Sequence, residues 1–175
     1  MLDKVFPKIH QEGYKFLIIA ILITIVLYFV SHFLGLICLV LTIWVYYFFR
    51  DPERISINDE NYLVSPADGL VLDVSEKSGP KELGLENKNF RKISIFMNVF
   101  DCHVNRSPCA GKISEIFYKP GKFINASLDK SSEENERNYY KIINKQGNEI
   151  VVVQIAGLIA RRIVCEVSKD QELDQ

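Results

Sequence analysis

The hydrophobic pattern divides the chain sharply. From Phe16 to Phe49 there is no Asp, Glu, Lys or Arg. A single helix over these 34 residues would be about 51 Å long, well beyond a hydrocarbon core of about 30 Å. Ser31-His32 is the one polar interruption, with Gly35 close behind. The run therefore reads as two helices, about 16–31 and 34–49, folded as a hairpin. At roughly 16 residues each they are slightly short for a full span, so local bilayer thinning or shallow re-entry would accommodate them. After Arg50 the pattern changes to short β-rich runs separated by turn residues. Candidate strands are 62–65, 70–74, 92–97, 112–118, 139–144, 149–155 and 161–167. The clearest local signal is a hairpin, because 139–144 and 149–155 flank the glycine-containing loop Lys145-Gln146-Gly147-Asn148. Pro66, Pro108, Pro120, Gly69, Gly111 and Gly121 punctuate the rest. The expected fold is mainly β: a compact sandwich or barrel-like soluble domain after an N-terminal α-helical membrane hairpin. Residues 129–138 are polar and read as an exposed loop or short helix.

Charge sets the orientation. Lys4, Lys8 and Lys15 precede the first helix, and Arg50 and Arg54 follow the second. A hairpin puts both ends on one side, and the positive-inside rule makes that side cytoplasmic. Trp44, Tyr46 and Tyr47 suit an interfacial belt at the second exit. The expected organisation is a cytoplasmic arm (1–15), an anchor (16–49) and a β domain (50–175). A cleaved signal peptide fits poorly, since its apolar region would be about 7–15 residues and end at small residues. This run ends in Tyr-Tyr-Phe-Phe-Arg.

Composition narrows the chemistry. Of the 175 residues 48% are hydrophobic, and the formal net charge is -1, so no basic field points to nucleic acid. Cys38, Cys102, Cys109 and Cys165 form no C-x-x-C pair and read as free thiols of a reducing compartment. The sequons at Asn105 and Asn125 carry no meaning in a cytoplasmic domain. His103 is the one histidine after the anchor. It follows an apolar strand and can project into a site, or it can be an ordinary hydrogen-bonded structural histidine. Zinc would require Cys102, His103 and Cys109 together, but adjacent residues of a strand point to opposite faces. No Gly-x-Ser-x-Gly elbow is present. Asp68, in Ser65-Pro66-Ala67-Asp68-Gly69, makes a proline turn or sits rigidly at the mouth of a site, where an aspartate can orient a histidine. Glu134-Asn135-Glu136-Arg137 reads as a solvated face, although an arginine near a membrane can meet a lipid phosphate. Of the adjacent Arg161 and Arg162, one is expected to point inward.

The ordered set of motifs resembles the short bacterial phosphatidylserine decarboxylases. It comprises Phe48-Phe49-Arg50-Asp51-Pro52, Ser65-Pro66-Ala67-Asp68-Gly69, Phe96-Met97-Asn98-Val99-Phe100-Asp101-Cys102-His103-Val104-Asn105-Arg106, Pro120-Gly121-Lys122-Phe123-Ile124-Asn125-Ala126, Asn135-Glu136-Arg137 and Gln154-Ile155-Ala156-Gly157-Leu158-Ile159-Ala160-Arg161-Arg162-Ile163. The resemblance implies a self-processing proenzyme. A cut before the serine of a Gly-Ser motif turns that serine into the pyruvoyl group of a small C-terminal subunit. The pyruvoyl forms a Schiff base with phosphatidylserine, draws electrons as carbon dioxide leaves, and phosphatidylethanolamine is released. Asp68 matches the aspartate linked to self-cleavage, and His103 the histidine linked to protonation. Longer members carry a second histidine where this chain has Arg106, so His103 would serve both steps or another base would. The resemblance also implies a membrane phospholipid substrate, a bacterial inner-membrane location and no metal, and it is compatible with a homo-oligomer. The chain contains no Gly-Ser dipeptide. The β domain is therefore expected to be C-terminally incomplete, and the chain alone to neither self-cleave nor decarboxylate. Alternatives are an inactive lipid-binding remnant, the large-subunit partner of a split enzyme and, more remotely, a lipoyl- or biotin-type carrier.

Overall fold

A computed structural model describes residues 6–57, 59–125 and 131–174. The chain forms two compact units. The first comprises Met1–Ile55, Ala67–Gly69 and Met97–Asn105, and the second Ser56–Pro66, Leu70–Phe96 and Arg106–Gln175.

The first unit is built on two helices, α1 (Gly13–Val30) and α2 (His32–Phe48). The break falls on one residue: Ser31 is extended, with φ -158° and ψ 121°. The helices begin and end one to three residues earlier than the pattern suggests. Gly35 lies inside α2 rather than in the turn, because it serves packing: a Cβ there would come within 2.6 Å of the Tyr28 Cα. Thr24 and Thr42 share a hydroxyl–hydroxyl bond of 2.8 Å, and Phe16 stacks on Phe49 at 5.1 Å. These pairings run in opposite senses along the two helices, so the helices are antiparallel. The flanking segments meet at the open end, where the Asp51 amide donates to the Lys8 carbonyl at 2.7 Å and the His10 amide to the Phe49 carbonyl at 2.9 Å. Among the described residues one helix, α1, is long and apolar enough to cross a membrane; α2 is one residue shorter.

The second unit is mainly β. Strands β1 (Leu70–Ser78) and β2 (Asn89–Phe96) form an antiparallel pair, linked through a 3₁₀ turn at Lys81–Leu83. Strands β3 (Gly111–Lys119), β4 (Arg137–Asn144), β5 (Glu149–Ile155) and β6 (Glu172–Leu173) form an antiparallel sheet in the order β5-β4-β3-β6. Leu83, Leu85 and Tyr139 form the core cluster, with Phe90 and Val151 packed against it. The β4–β5 hairpin is the one read from the sequence. Gly147 takes φ 83°, and the Asn144 side-chain oxygen accepts from the Gln146 and Asn148 amides at 3.1 and 2.8 Å.

Two expected strands are absent among the described residues. Residues 62–65 form no ladder: the Tyr62 amide donates to the nearby Asp59 carbonyl at 3.1 Å and the Val64 amide to the Pro108 carbonyl at 2.9 Å, and 161–167 is irregular. Both runs have β-like composition, but a strand also needs a partner ladder. The polar stretch 129–138 lies partly outside the described residues. Its described part includes the short helix α3 (Ser131–Glu134) and the start of β4. It is not a solvated face, because Asn135 is fully buried and Arg137 nearly so. Asn135 ties three segments: its side-chain oxygen accepts from the Ile124 amide at 2.9 Å, and its NH₂ donates to the Ile124 and Ala156 carbonyls, both at 2.8 Å. Gly121 permits this approach, since a Cβ there would lie 2.4 Å from the Asn135 carbonyl carbon. Arg161 and Arg162 are both exposed, so neither points inward.

Candidate active site

Asp68 and His103 belong to the helical unit, although they lie in sequence among the strands. The chain leaves the β unit for Ala67–Gly69, and again for Met97–Asn105.

The second excursion is a built turn. The Asn98 amide and NH₂ both donate to Asp101 Oδ2, at 2.9 and 2.7 Å, and the Phe100 amide donates to the Asn98 side-chain oxygen at 2.8 Å. Asn105 Nδ2 closes the segment with a 3.5 Å bond to the Met97 sulfur. His103 follows, half-buried. Its Nδ1 lies 3.0 Å from the Asp101 carbonyl oxygen. A carbonyl only accepts, so Nδ1 carries hydrogen, and Nε2 is left as the atom that can take or give a proton. The imidazole stacks on Phe48 at 4.1 Å with 24° between the planes. Burial holds the His103 pKa below its ordinary value. The Asp101 carbonyl and carboxylate oppose that effect, and the Arg50 charge adds to it. The ring therefore prefers to be neutral near pH 7, and once charged it surrenders its proton readily.

The neighbouring Cys102 is buried, and its S–H donates to the Arg50 carbonyl at 3.2 Å. Burial pushes its thiol pKa up, which suits a structural role rather than a nucleophilic one. Among the described residues no three His, Cys, Asp or Glu side chains gather as a metal site.

Asp68 is half-buried and pairs with the Arg54 guanidinium through Oδ2. Its charge reaches Cys102, where it opposes thiol ionisation. The structure thus gathers both sequence-predicted residues into one unit, but no hydrogen bond joins Asp68 to His103. Asp68 is oriented by an arginine, and His103 by a carbonyl and a ring. Sequence reasoning missed Phe48, Arg50 and Arg54 as part of this surround. The available signal was their position, directly at the exit of the apolar run.

Comparison with known proteins gives the family of the chain. The family described as "Phosphatidylserine decarboxylase" matches over residues 41–175. The chain is 79% identical over 175 residues to the phosphatidylserine decarboxylase proenzyme of Pelagibacter ubique (strain HTCC1062), covering 100% of this chain and 81% of that protein. The proenzyme of Ruegeria pomeroyi (strain ATCC 700808 / DSM 15171 / DSS-3) is 52% identical over 165 residues, 94% of this chain and 75% of its own length. That of Cereibacter sphaeroides (strain ATCC 17025 / ATH 2.4.3) is 48% identical over 173 residues, 99% and 75%. The chain belongs to the phosphatidylserine decarboxylase family, a family of decarboxylating enzymes.

Proposed function

We propose that the chain is the large part of a membrane-anchored enzyme that converts phosphatidylserine to phosphatidylethanolamine, with His103 as the proton donor. The observation that carries this reading is the geometry of His103, whose Nδ1 is fixed on the Asp101 carbonyl while Nε2 is left for transfer. Loss of carbon dioxide leaves a carbanion equivalent that must be protonated. A positioned acid contributes about 10²–10⁴-fold to such a step. A half-buried imidazole that gives up its proton easily suits it.

A pyruvoyl group, generated from a serine outside this sequence and carried on a small C-terminal subunit, would supply the electron sink for the departing carboxylate. The residues present fit such a group: they provide a proton donor and an oriented carboxylate, and the two buried thiols, Cys102 and Cys109, are both held protonated by burial. Asp68, held by Arg54, supports activation of the serine during self-cleavage. The anchor is residues 16–49, the β domain is 50–175, and the β domain lies on the cytoplasmic face of a bacterial inner membrane. The apolar exterior of α1 and the basic residues at both ends of the hairpin support this placement.

Two measurements test the reading. The chain should resist alkaline carbonate extraction, and residues 50–175 should survive protease added outside spheroplasts. Release by carbonate or digestion from outside would overturn the membrane placement. A chain completed with the C-terminal segment should evolve carbon dioxide from carboxyl-labelled phosphatidylserine, and absence of turnover despite cleavage into two subunits would overturn the activity.

A further inference from the structure

The residues around the exit of α2 do more than leave the helix. Four consecutive contacts bind them to the segment that carries His103. Trp44 Nε1 donates to the Val99 carbonyl at 3.1 Å. Arg50 Nη2 donates to the Phe100 carbonyl at 2.9 Å, while its Nη1 donates to the Tyr47 carbonyl at 2.7 Å. The Cys102 thiol donates back to the Arg50 carbonyl at 3.2 Å. The Phe48 ring lies against the imidazole at 4.1 Å.

We propose that Phe48 and Arg50 are positioning residues for His103, so that the second anchor helix is a working part of the active site and not only a tether. This rests on the reading of His103 as proton donor. The physical argument has two parts. The one hydrogen bond that the His103 ring makes among the described residues, through Nδ1, fixes one ring atom and leaves the ring free to swing about that contact. A stacked aromatic platform removes the remaining freedom and keeps water from one face. Arg50 acts on the backbone beneath. Its planar fork reaches the helix-end carbonyl and the turn carbonyl together, a geometry that a lysine ammonium on a flexible stem does not reproduce. Arg50 and Asp101 are also the charged groups that act on the ring, one favouring the neutral form and the other the charged form.

The test uses the full chain in nanodiscs, with ¹⁵N-labelled histidine followed by NMR. The three histidines are His10, His32 and His103, and a His103→Gln variant assigns the signal. Phe48→Ala should move the His103 titration upward, towards the ordinary value of about 6.5, and mix its two neutral tautomers. Phe48→Tyr, which keeps a ring, should restore the wild-type signal. Arg50→Lys keeps the charge but not the fork, and should broaden or split the His103 resonance. If Phe48→Ala titrates as wild type with one tautomer, the platform is not needed. If Arg50→Lys is indistinguishable from wild type, Arg50 acts through charge alone and its forked contact with the two carbonyls is not needed. Helix content measured alongside separates either effect from unfolding. In the completed enzyme, Phe48→Ala should lower turnover on the order of 10-fold, less than loss of the acid itself, with subunit cleavage intact and the basic limb of the rate profile moved to higher pH. An NMR shift without any change in turnover would leave Phe48 and Arg50 as the holders of His103 and would instead remove His103 from the proton transfer.

Discussion

The helical unit and the β unit treat polarity in opposite ways. In the β unit the most deeply buried side chains are Ile113 and Asn135, at 1% and 0% exposure, and the buried amide is fully paired. In the helices the order inverts. Phe29 and Phe33 are exposed at 84% and 70%, while Gly35 and Thr42 are buried. Soluble monomers rarely expose an apolar face of this kind, which marks a protein or membrane contact. Under the proposed membrane placement the contrast is that of two solvents acting on one chain, with small and hydroxyl residues between the helices as is usual in lipid. Both candidate residues fall on the apolar side of this division, since Asp68 and His103 are in the helical unit. Under the proposed function, a reaction on a lipid headgroup would gain from that, because its acid would be built on the element that meets the bilayer.

The sharpest way to break the comparison is to disable the helical unit's excursions singly. In a completed enzyme, Asp68→Ala should leave the chain as one uncut band on a denaturing gel and abolish turnover. Normal cleavage would show that Asp68 only makes a turn. His103→Ala should lower decarboxylation by at least about 10²-fold with the circular dichroism unchanged. Cleaved but inactive protein would mean that different bases serve the two steps, uncleaved protein would mean that one histidine serves both, and wild-type turnover would make His103 structural.

Substitutions in the β unit should affect stability. Asn135→Ala strands an amide and two carbonyls in a fully buried position, and each orphaned group costs about 1–3 kcal/mol. Thermal unfolding of the β unit should fall by many degrees, while the helices melt as before. A change of a degree or less would mean that water replaces the amide freely.

The smallest effect concerns Glu82, which accepts from Lys119 Nζ at 2.8 Å. Burial alone would push its carboxyl pKa up, but the Lys119 bond, a bond from its own backbone and the charges of Lys119 and Arg137 outweigh burial and hold it below the ordinary value. A depressed folded pKa stabilises the fold above the unfolded value of about 4.3, and that stability is lost as pH falls through the folded one. Lys119→Met should therefore unfold at lower urea than wild type at pH 7, with the gap closing below about pH 4. A gap of constant size would point to lost packing of the lysine stem instead.

Much of the architecture is legible in the order of residues. A run without charge, broken at Ser31, can only fold back, and the Gly147 turn with its flanking alternation can only be a hairpin. The failures share a cause. Residues 62–65 and 161–167 have the composition of strands, but composition does not record whether a neighbour is in register. Asn135 and Arg137 sit in a string of charges, and nothing local distinguishes an asparagine that ties loops together from one in water; the close approach permitted by Gly121 is visible only in three dimensions. For the candidate site, the motif order singled out His103 and Asp68, while the stack on Phe48 joins positions far apart in the chain. Nor could spacing alone show that Asp68 would turn to Arg54 rather than to the histidine.

In the membrane placement proposed above, the one-residue turn at Ser31 also bears on how deep the hairpin would sit. Helix α2 starts without a side-chain cap, and the amides of His32, Phe33 and Leu34 find no partner among the described residues. Such groups cost several kcal/mol each in hydrocarbon. They need water, phosphate or glycerol oxygens, so a tip left hanging within the acyl chains is the costlier arrangement. At about 1.5 Å per residue the 18 residues of α1 rise about 27 Å, a little less than an average core. Reaching the distant headgroups therefore means drawing that leaflet inward, and the lipids nearest the tip should be the shortest or most disordered in the membrane.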